Sequence, residues 1–283
     1  MNNTLKTILL FGTLTALLIS VGRFIAGPNS FFFMIIIGIF VNLFVYFFSD
    51  KIALFSARAK PLKKSDLPEI HQLVSLLAKR AKLPMPRLFI SPNPRPNAFA
   101  TGRNPGHSAI AVTRGLLEHL NKKELKGVLA HEISHIKNRD ILIATAAAVL
   151  ASIITSLTHL IRFGNFFSSS DDDSGRNPLA ELVMIILAPV AALIIQLAIS
   201  RSREFKADET GAKLAQDSLG LASALEKLEN ISKQIPAARI NPAFENLYII
   251  NPLANGQIIG VIQKLFSTHP PTRERIARLE KMR

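Results

Sequence analysis

Four uncharged apolar stretches, 7–22, 31–49, 141–161 and 182–200, constrain this chain more than any other feature. Each approaches the ~20 residues, or ~30 Å of helix, that cross a bilayer. A chain of 283 residues could hardly bury four such helices in one water-soluble core, so the stretches predict membrane spans. Composition agrees, with 48% hydrophobic and only 19% charged residues and a mean hydropathy of +0.27. None of the stretches contains Asp, Glu, Lys or Arg, which argues against an ion-coupled transporter. The first stretch sits where a secretory leader would. No clear small-x-small cleavage site follows it, Arg23 does, and a second stretch begins within a few residues, so it is expected to be retained.

Charge orients the spans. The chain carries 34 Lys plus Arg against 20 Asp plus Glu, a formal charge of +14. The basic residues flank the apolar runs, and no zinc finger or aromatic RNA-binding motif is present, so the lipid bilayer is the expected partner and nucleic acid is not. Lys51, Arg58, Lys60, Lys63 and Lys64 follow the second stretch, whereas Asp171, Asp172 and Asp173 lie between the third and fourth. The positive-inside rule puts the basic segment in the cytosol. The expected layout is an N-terminal transmembrane hairpin (1–50), a cytosolic catalytic part (51–140), a second hairpin (141–200) with external loop 162–179, and a second cytosolic catalytic part (201–283). Both termini are then cytosolic. Cysteine is absent, which removes disulfides, thiolate metal sites and a cysteine nucleophile together. A metal here needs His, Asp or Glu.

The segment 121–140 reads as a helix, with Asn121 as N-cap, Glu124 completing a capping box, and Leu125, Val128, Leu129, Glu132 and Ile136 at helical spacing. His131 and His135, four apart, leave the same face one turn apart and can share one metal ion. Glu132 lies beside the first of them, close to a metal-bound water without being a ligand, as hydrolytic zinc chemistry needs. Such a pattern would arise in roughly one shuffled sequence in 140, which favours chemistry over coincidence.

A catalytic zinc takes three protein ligands and keeps one position open. The candidates for the third are His71, His107, His119, His159, His269 and a carboxylate. The third and fourth spans form an antiparallel hairpin, so continuous helices would hold His135 and Glu204 at a similar height, ~6 to 9 Å above the membrane. Glu204 is therefore the expected third ligand. Asp208, one turn on, is expected to accept a hydrogen bond from a liganding imidazole, its competing use being a pair with Arg201, Arg203 or Lys206. Gly211 and Ala212 would let the two helices approach closely, unless the glycine marks a loosened helix end. In this scheme zinc lowers the pKa of its water toward ~7, Glu132 takes the proton, the hydroxide attacks a peptide carbonyl, and Glu132 returns the proton to the leaving amine.

Residues 65–83 form an amphipathic helix with Pro68 in its first turn. Short strands at 87–90, 98–101 and 109–113, separated by Pro, Asn and Gly turns, predict a small antiparallel sheet. Asn97, Ala98, Phe99, Ala100 and Thr101 are the expected edge, able to pair with an extended peptide through main-chain hydrogen bonds.

His131-Glu-Ile-Ser-His135 with Asn138 and Asp140, Ser202-Arg-Glu-Phe-Lys-Ala-Asp208, Arg95-Pro-Asn-Ala-Phe-Ala-Thr-Gly-Arg-Asn-Pro105 and Ser267-Thr-His-Pro-Pro-Thr272 together resemble the bacterial HtpX membrane metalloproteases, relatives of the CAAX prenyl proteases. The resemblance covers nearly the whole chain. It implies a mainly α membrane protein with four transmembrane helices and a cytosolic zincin-like α+β metalloprotease domain. It also implies one zinc held by His131, His135 and Glu204, Glu132 as catalytic residue, and misfolded membrane proteins of the bacterial inner membrane as substrates under stress. It further implies peptide binding at 97–102 and a place for His269 near the cleft, steadying the transition-state oxyanion. Arg273 stands where that family leads one to expect an acidic residue, and the basic helix 273–281 would suit a place near anionic lipid. Two other functions compete: a CAAX-type processing protease, and a membrane scaffold whose structural metal would need a fourth protein ligand.

Overall fold

The computed structural model describes residues 3–150, 201–234, 247, 249 and 270–282. Two apolar helices open the chain, α1 (Asn3–Ala26) and α2 (Phe31–Ser56), turned against each other at Gly27 and a short 3₁₀ turn, Pro28–Ser30. The amide of Asn42 on α2 donates to Thr15 Oγ1 (2.8 Å) and to the Phe11 carbonyl (3.2 Å) on α1, pinning the pair. Outward, α2 presents Phe32, Ile36 and Phe40 bare. Such side chains suit lipid. Among the described residues, Pro28–Ser56 is the one helix long and apolar enough to cross a membrane, while Leu5–Ser20 and Ile141–Leu150 are shorter apolar helices. The rest of the expected third span and all of the fourth lie outside the described residues, as does the external loop.

Past α2 come β1 (Lys60–Pro61), α3 (Pro68–Ala81), β2 (Arg87–Ser91), β3 (Ala98–Gly102) and β4 (Ser108–Thr113). The helices α4 (Arg114–His119) and α5 (Lys122–Lys137) follow, then the apolar helix α6 (Ile141–Leu150). After the undescribed stretch stand α7 (Arg201–Ala215), α8 (Ser218–Gln234) and α9 (Thr272–Glu280).

The sheet corrects the sequence reading. Its order is β1-β2-β4-β3, with β3 antiparallel to β4 but β2 parallel to β4. It is a mixed sheet. Three prolines, Pro92, Pro94 and Pro96, sit in the β2–β3 connection, where a tight hairpin cannot form. The chain crosses instead to a position one strand away, and β4 returns into the gap running the same way as β2. Gly115 makes the crossing possible, since a Cβ there would lie 1.8 Å from the Pro94 carbonyl oxygen. Among the described residues β3 pairs with β4 alone, so Ala98–Gly102 stands at the end of the strand order.

Both faces of this sheet are buried. Ala98, Ala100, Ile110 and Val112 face a core shared with α3, α5, α7 and α8. Phe99, Ala109 and Ala111 alternate with them and belong to a second core with Leu10 and Leu14 of α1, Val45, Ala53 and Leu54 of α2, and the body of α6. Further bonds fasten the sheet to the apolar helices: Arg87 to Asp50 at 2.7 Å, Ser91 Oγ to the Ala57 carbonyl, and Thr101 Oγ1 to Thr145 Oγ1 at 3.0 Å.

Candidate metal centre

Helix α5 begins as its sequence demands. Asn121 accepts from the Lys123 and Glu124 amides, and Glu124 accepts from the Asn121 amide. Glu124 is buried, and Ser223 and Lys227 of α8 also bond to it, which fixes α5 against α8. One face of α5 then packs on α7, where Glu204, Asp208, Gly211 and Ala215 recur at helical spacing. Gly211 is what allows the approach: a Cβ would lie 3.0 Å from the His131 nitrogen. Of the two readings of this glycine, close packing is the one observed.

The approach assembles the site. His131 Nε2 and His135 Nε2 face each other at 3.1 Å, and Glu204 places Oε2 3.7 Å from His131 Nε2 and Oε1 3.7 Å from His135 Nε2. The other ring nitrogens meet carboxylates. His135 Nδ1 lies 3.2 Å from Asp140 Oδ1, and His131 Nδ1 lies 2.9 Å from Asp208 Oδ1, a charge contact whose N–H does not point straight along it. A carboxylate only accepts, so each Nδ1 carries a proton and two Nε2 lone pairs are turned toward one another. A cation seated between them would satisfy both. Two imidazoles on one tetrahedral zinc would have nitrogens about 3.3 Å apart, so the donor set fits the ion. Ligand atoms of His131, His135 and Glu204 all lie within 4.8 Å of one another.

The titration of these groups follows from their surroundings. Burial pulls the His131 imidazole down. Burial acts the same way on His135, but the carboxylates of Asp140, Glu204 and Glu132 outweigh it and push its pKa up to about 10. Glu132 is 4% exposed, and burial raises its carboxyl to about 7 against the pull of His135 and of the Ala100 amide, which donates to its Oε2 at 2.7 Å. Asp208 is held down at about 2, because Arg275 overcomes the cost of its burial.

Arg275 escapes sequence reasoning. It sits on α9, 1% exposed, with Nε and Nη2 gripping the Asp208 carboxylate at 2.8 and 2.7 Å and Nη1 donating to the Ile249 carbonyl. The basic helix thus turns Arg275 and Leu279 inward. Arg201, Arg203 and Lys206 are nearer Asp208 in sequence, but Arg275 holds it. Periodicity gives one signal: Arg275 and Leu279 are four apart. Asp140 carries a clearer one, following His135 by five residues at the end of the same helix. Asn97 is 4% exposed and its side-chain amide is taken by the chain itself, donating to the Leu247 carbonyl and accepting from the Ile249 amide. Ala98, Phe99, Ala100 and Thr101 line β3 beside Glu132, and His269 lies outside the described residues.

Residues 64–283 match peptidase family M48. The chain belongs to that family. It is 50% identical over 283 residues to a protease HtpX homolog of Pelotomaculum thermopropionicum, the match covering 99% of each chain. It is 48% identical over 278 residues to one of Pyrococcus furiosus, covering 98% of this chain and 95% of that protein. In fold it is similar to a crystal structure of S. mikatae Ste24p, with a TM-score of 0.51 and 19% identity, over 95% of this chain and 62% of that one. The protein is thus a metalloprotease, and M48 metallopeptidases are zinc enzymes.

Proposed function

We propose that His131, His135 and Glu204 hold one zinc ion, that Glu132 is the general base, and that the enzyme is an endopeptidase clearing misfolded membrane proteins from the cytosolic face of a bacterial inner membrane. The observation that carries the metal assignment is the pair of Nε2 atoms facing at 3.1 Å with Glu204 3.7 Å from each.

Zinc, when bound, supplies a Lewis acid that polarises the scissile carbonyl and acidifies water. Glu132 takes a proton from the attacking water and delivers it to the leaving amine, so the C–N bond breaks without an acyl-enzyme. The Ala100 amide fixes Oε2 of this carboxylate and leaves Oε1 to carry the proton. Asp208 and Arg275 orient His131. The side of β3 turned away from β4 would pair with an extended peptide through main-chain groups other than the Ala100 amide, which Glu132 holds, giving broad sequence tolerance. His269 would serve the oxyanion. The attachment of the sheet to α1, α2 and α6 supports substrates presented at the bilayer surface. The four apolar stretches and the basic segment after the second would give four spans with both termini cytosolic.

The test uses full-length protein in detergent, stripped with chelator and given zinc back, on an unfolded casein-like substrate. Glu132→Gln should keep its zinc and lose about 10²–10⁴-fold in turnover. Equal turnover of the variant and the wild type would overturn the assignment.

A further inference from the structure

The helix that carries both imidazoles ends in a turn that the chemistry above does not use. Arg139 N–H donates to the Ile136 carbonyl and Asp140 N–H to the His135 carbonyl, each at 3.2 Å. These are the paired 5→2 and 6→1 bonds of a Schellman ending. Its left-handed position normally takes glycine, yet Arg139 holds it with φ 57°. The turn folds Asp140 back over His135. Where such endings commonly close with an apolar contact between these two positions, this one closes with a carboxylate against an imidazole: Asp140 Oδ1 lies 3.2 Å from His135 Nδ1, its side chain 4% exposed. The Asp140 carbonyl meanwhile accepts the Ala144 amide in the first turn of α6.

We propose that Asp140 is a positioning residue of the metal centre, fixing the tautomer and rotation of His135 and tying that ligand to the start of the apolar helix α6. Asp208 reaches His131 from a neighbouring helix, so its grip depends on how α5 and α7 pack. Asp140 reaches His135 within one chain turn, so its grip is local and is present whenever α5 ends as it does. With Nδ1 engaged, the ring can offer only Nε2 to a metal, on the side where His131 Nε2 stands 3.1 Å away. The inference rests on reading His135 as a metal ligand.

The test compares full-length wild type, Asp140→Ala and Asp140→Asn in detergent after removal of metal. Zinc affinity is read by competition with a chromophoric chelator, and the site's geometry by the visible absorption of the cobalt-loaded protein. Asp140→Ala should weaken zinc binding 10- to 100-fold and change the cobalt bands. Asp140→Asn keeps an oxygen for Nδ1 without the charge and should recover part of the loss. Wild-type affinity and an unchanged cobalt spectrum in Asp140→Ala would overturn the proposal. If the alanine variant does not fold, the same pair of results in Asp140→Asn would overturn it. Glu132→Gln, run alongside, should bind zinc as the wild type does. A wild type that binds zinc but cleaves nothing would undo the peptidase reading and leave the Asp140 comparison standing.

Discussion

A buried ion pair is strongly destabilising to break from one side, and Asp208 with Arg275 is such a pair, at 3% and 1% exposure. Arg275→Ala would leave the Asp208 carboxylate buried without its partner. It should cost about 3–5 kcal/mol near neutral pH, read from thermal unfolding of the metal-free protein. The pH dependence has a definite sign. The folded carboxyl titrates at about 2, below its ordinary value of 3.8, so the pair's contribution is complete above that value and disappears as pH falls through about 2. The deficit of Arg275→Ala should therefore narrow on acidification; a deficit independent of pH would contradict the pairing. Asp208 and Glu204 were legible in sequence because short helical spacings, combined with an antiparallel hairpin, put them opposite the imidazoles. Arg275 lies 67 residues from its partner and reads as one more cation on a basic helix. Its role is created by tertiary burial, which no local pattern encodes.

At the scale of elements, the site depends on how closely α5 and α7 approach. The glycine at 211 leaves room for the His131 backbone, and a larger residue would push the helices apart. Gly211→Val should cost about 1–3 kcal/mol through overpacking and should weaken metal binding as well, because Glu204 rides on the displaced helix. A variant less stable but with unchanged zinc affinity would show that the approach does not set the ligand geometry. The helices themselves were readable: α5 has its capping box and α3 its apolar stripe within a few residues of the expected bounds. The strand order was not. Spacing located three short strands, but pairing partners depend on how the proline-bearing connection crosses β4, and a clearance at Gly115 decides that route.

For the whole molecule, the feature with most consequence is that the sheet beside the metal centre is held between a helical layer and the apolar helices. Four apolar stretches were plain from sequence because hydropathy needs no tertiary information; one described helix, Pro28–Ser56, meets the length and apolarity of a span. Sidedness can be tested directly because the chain has no native cysteine. Single substitutions Ser65→Cys and Ser174→Cys should react with an impermeant thiol reagent from opposite sides of sealed vesicles, Ser65→Cys from the cytosolic side. Labelling of both from one side would refute the proposed topology. The account as a whole turns on a cation shared by two helices. Its most direct test is zinc content per chain, measured after chelation, zinc re-addition and gel filtration, for the wild type and Glu204→Ala. About one zinc in the wild type and a clear loss in the variant are predicted; equal zinc content in the two would contradict the claim that α7 supplies a ligand.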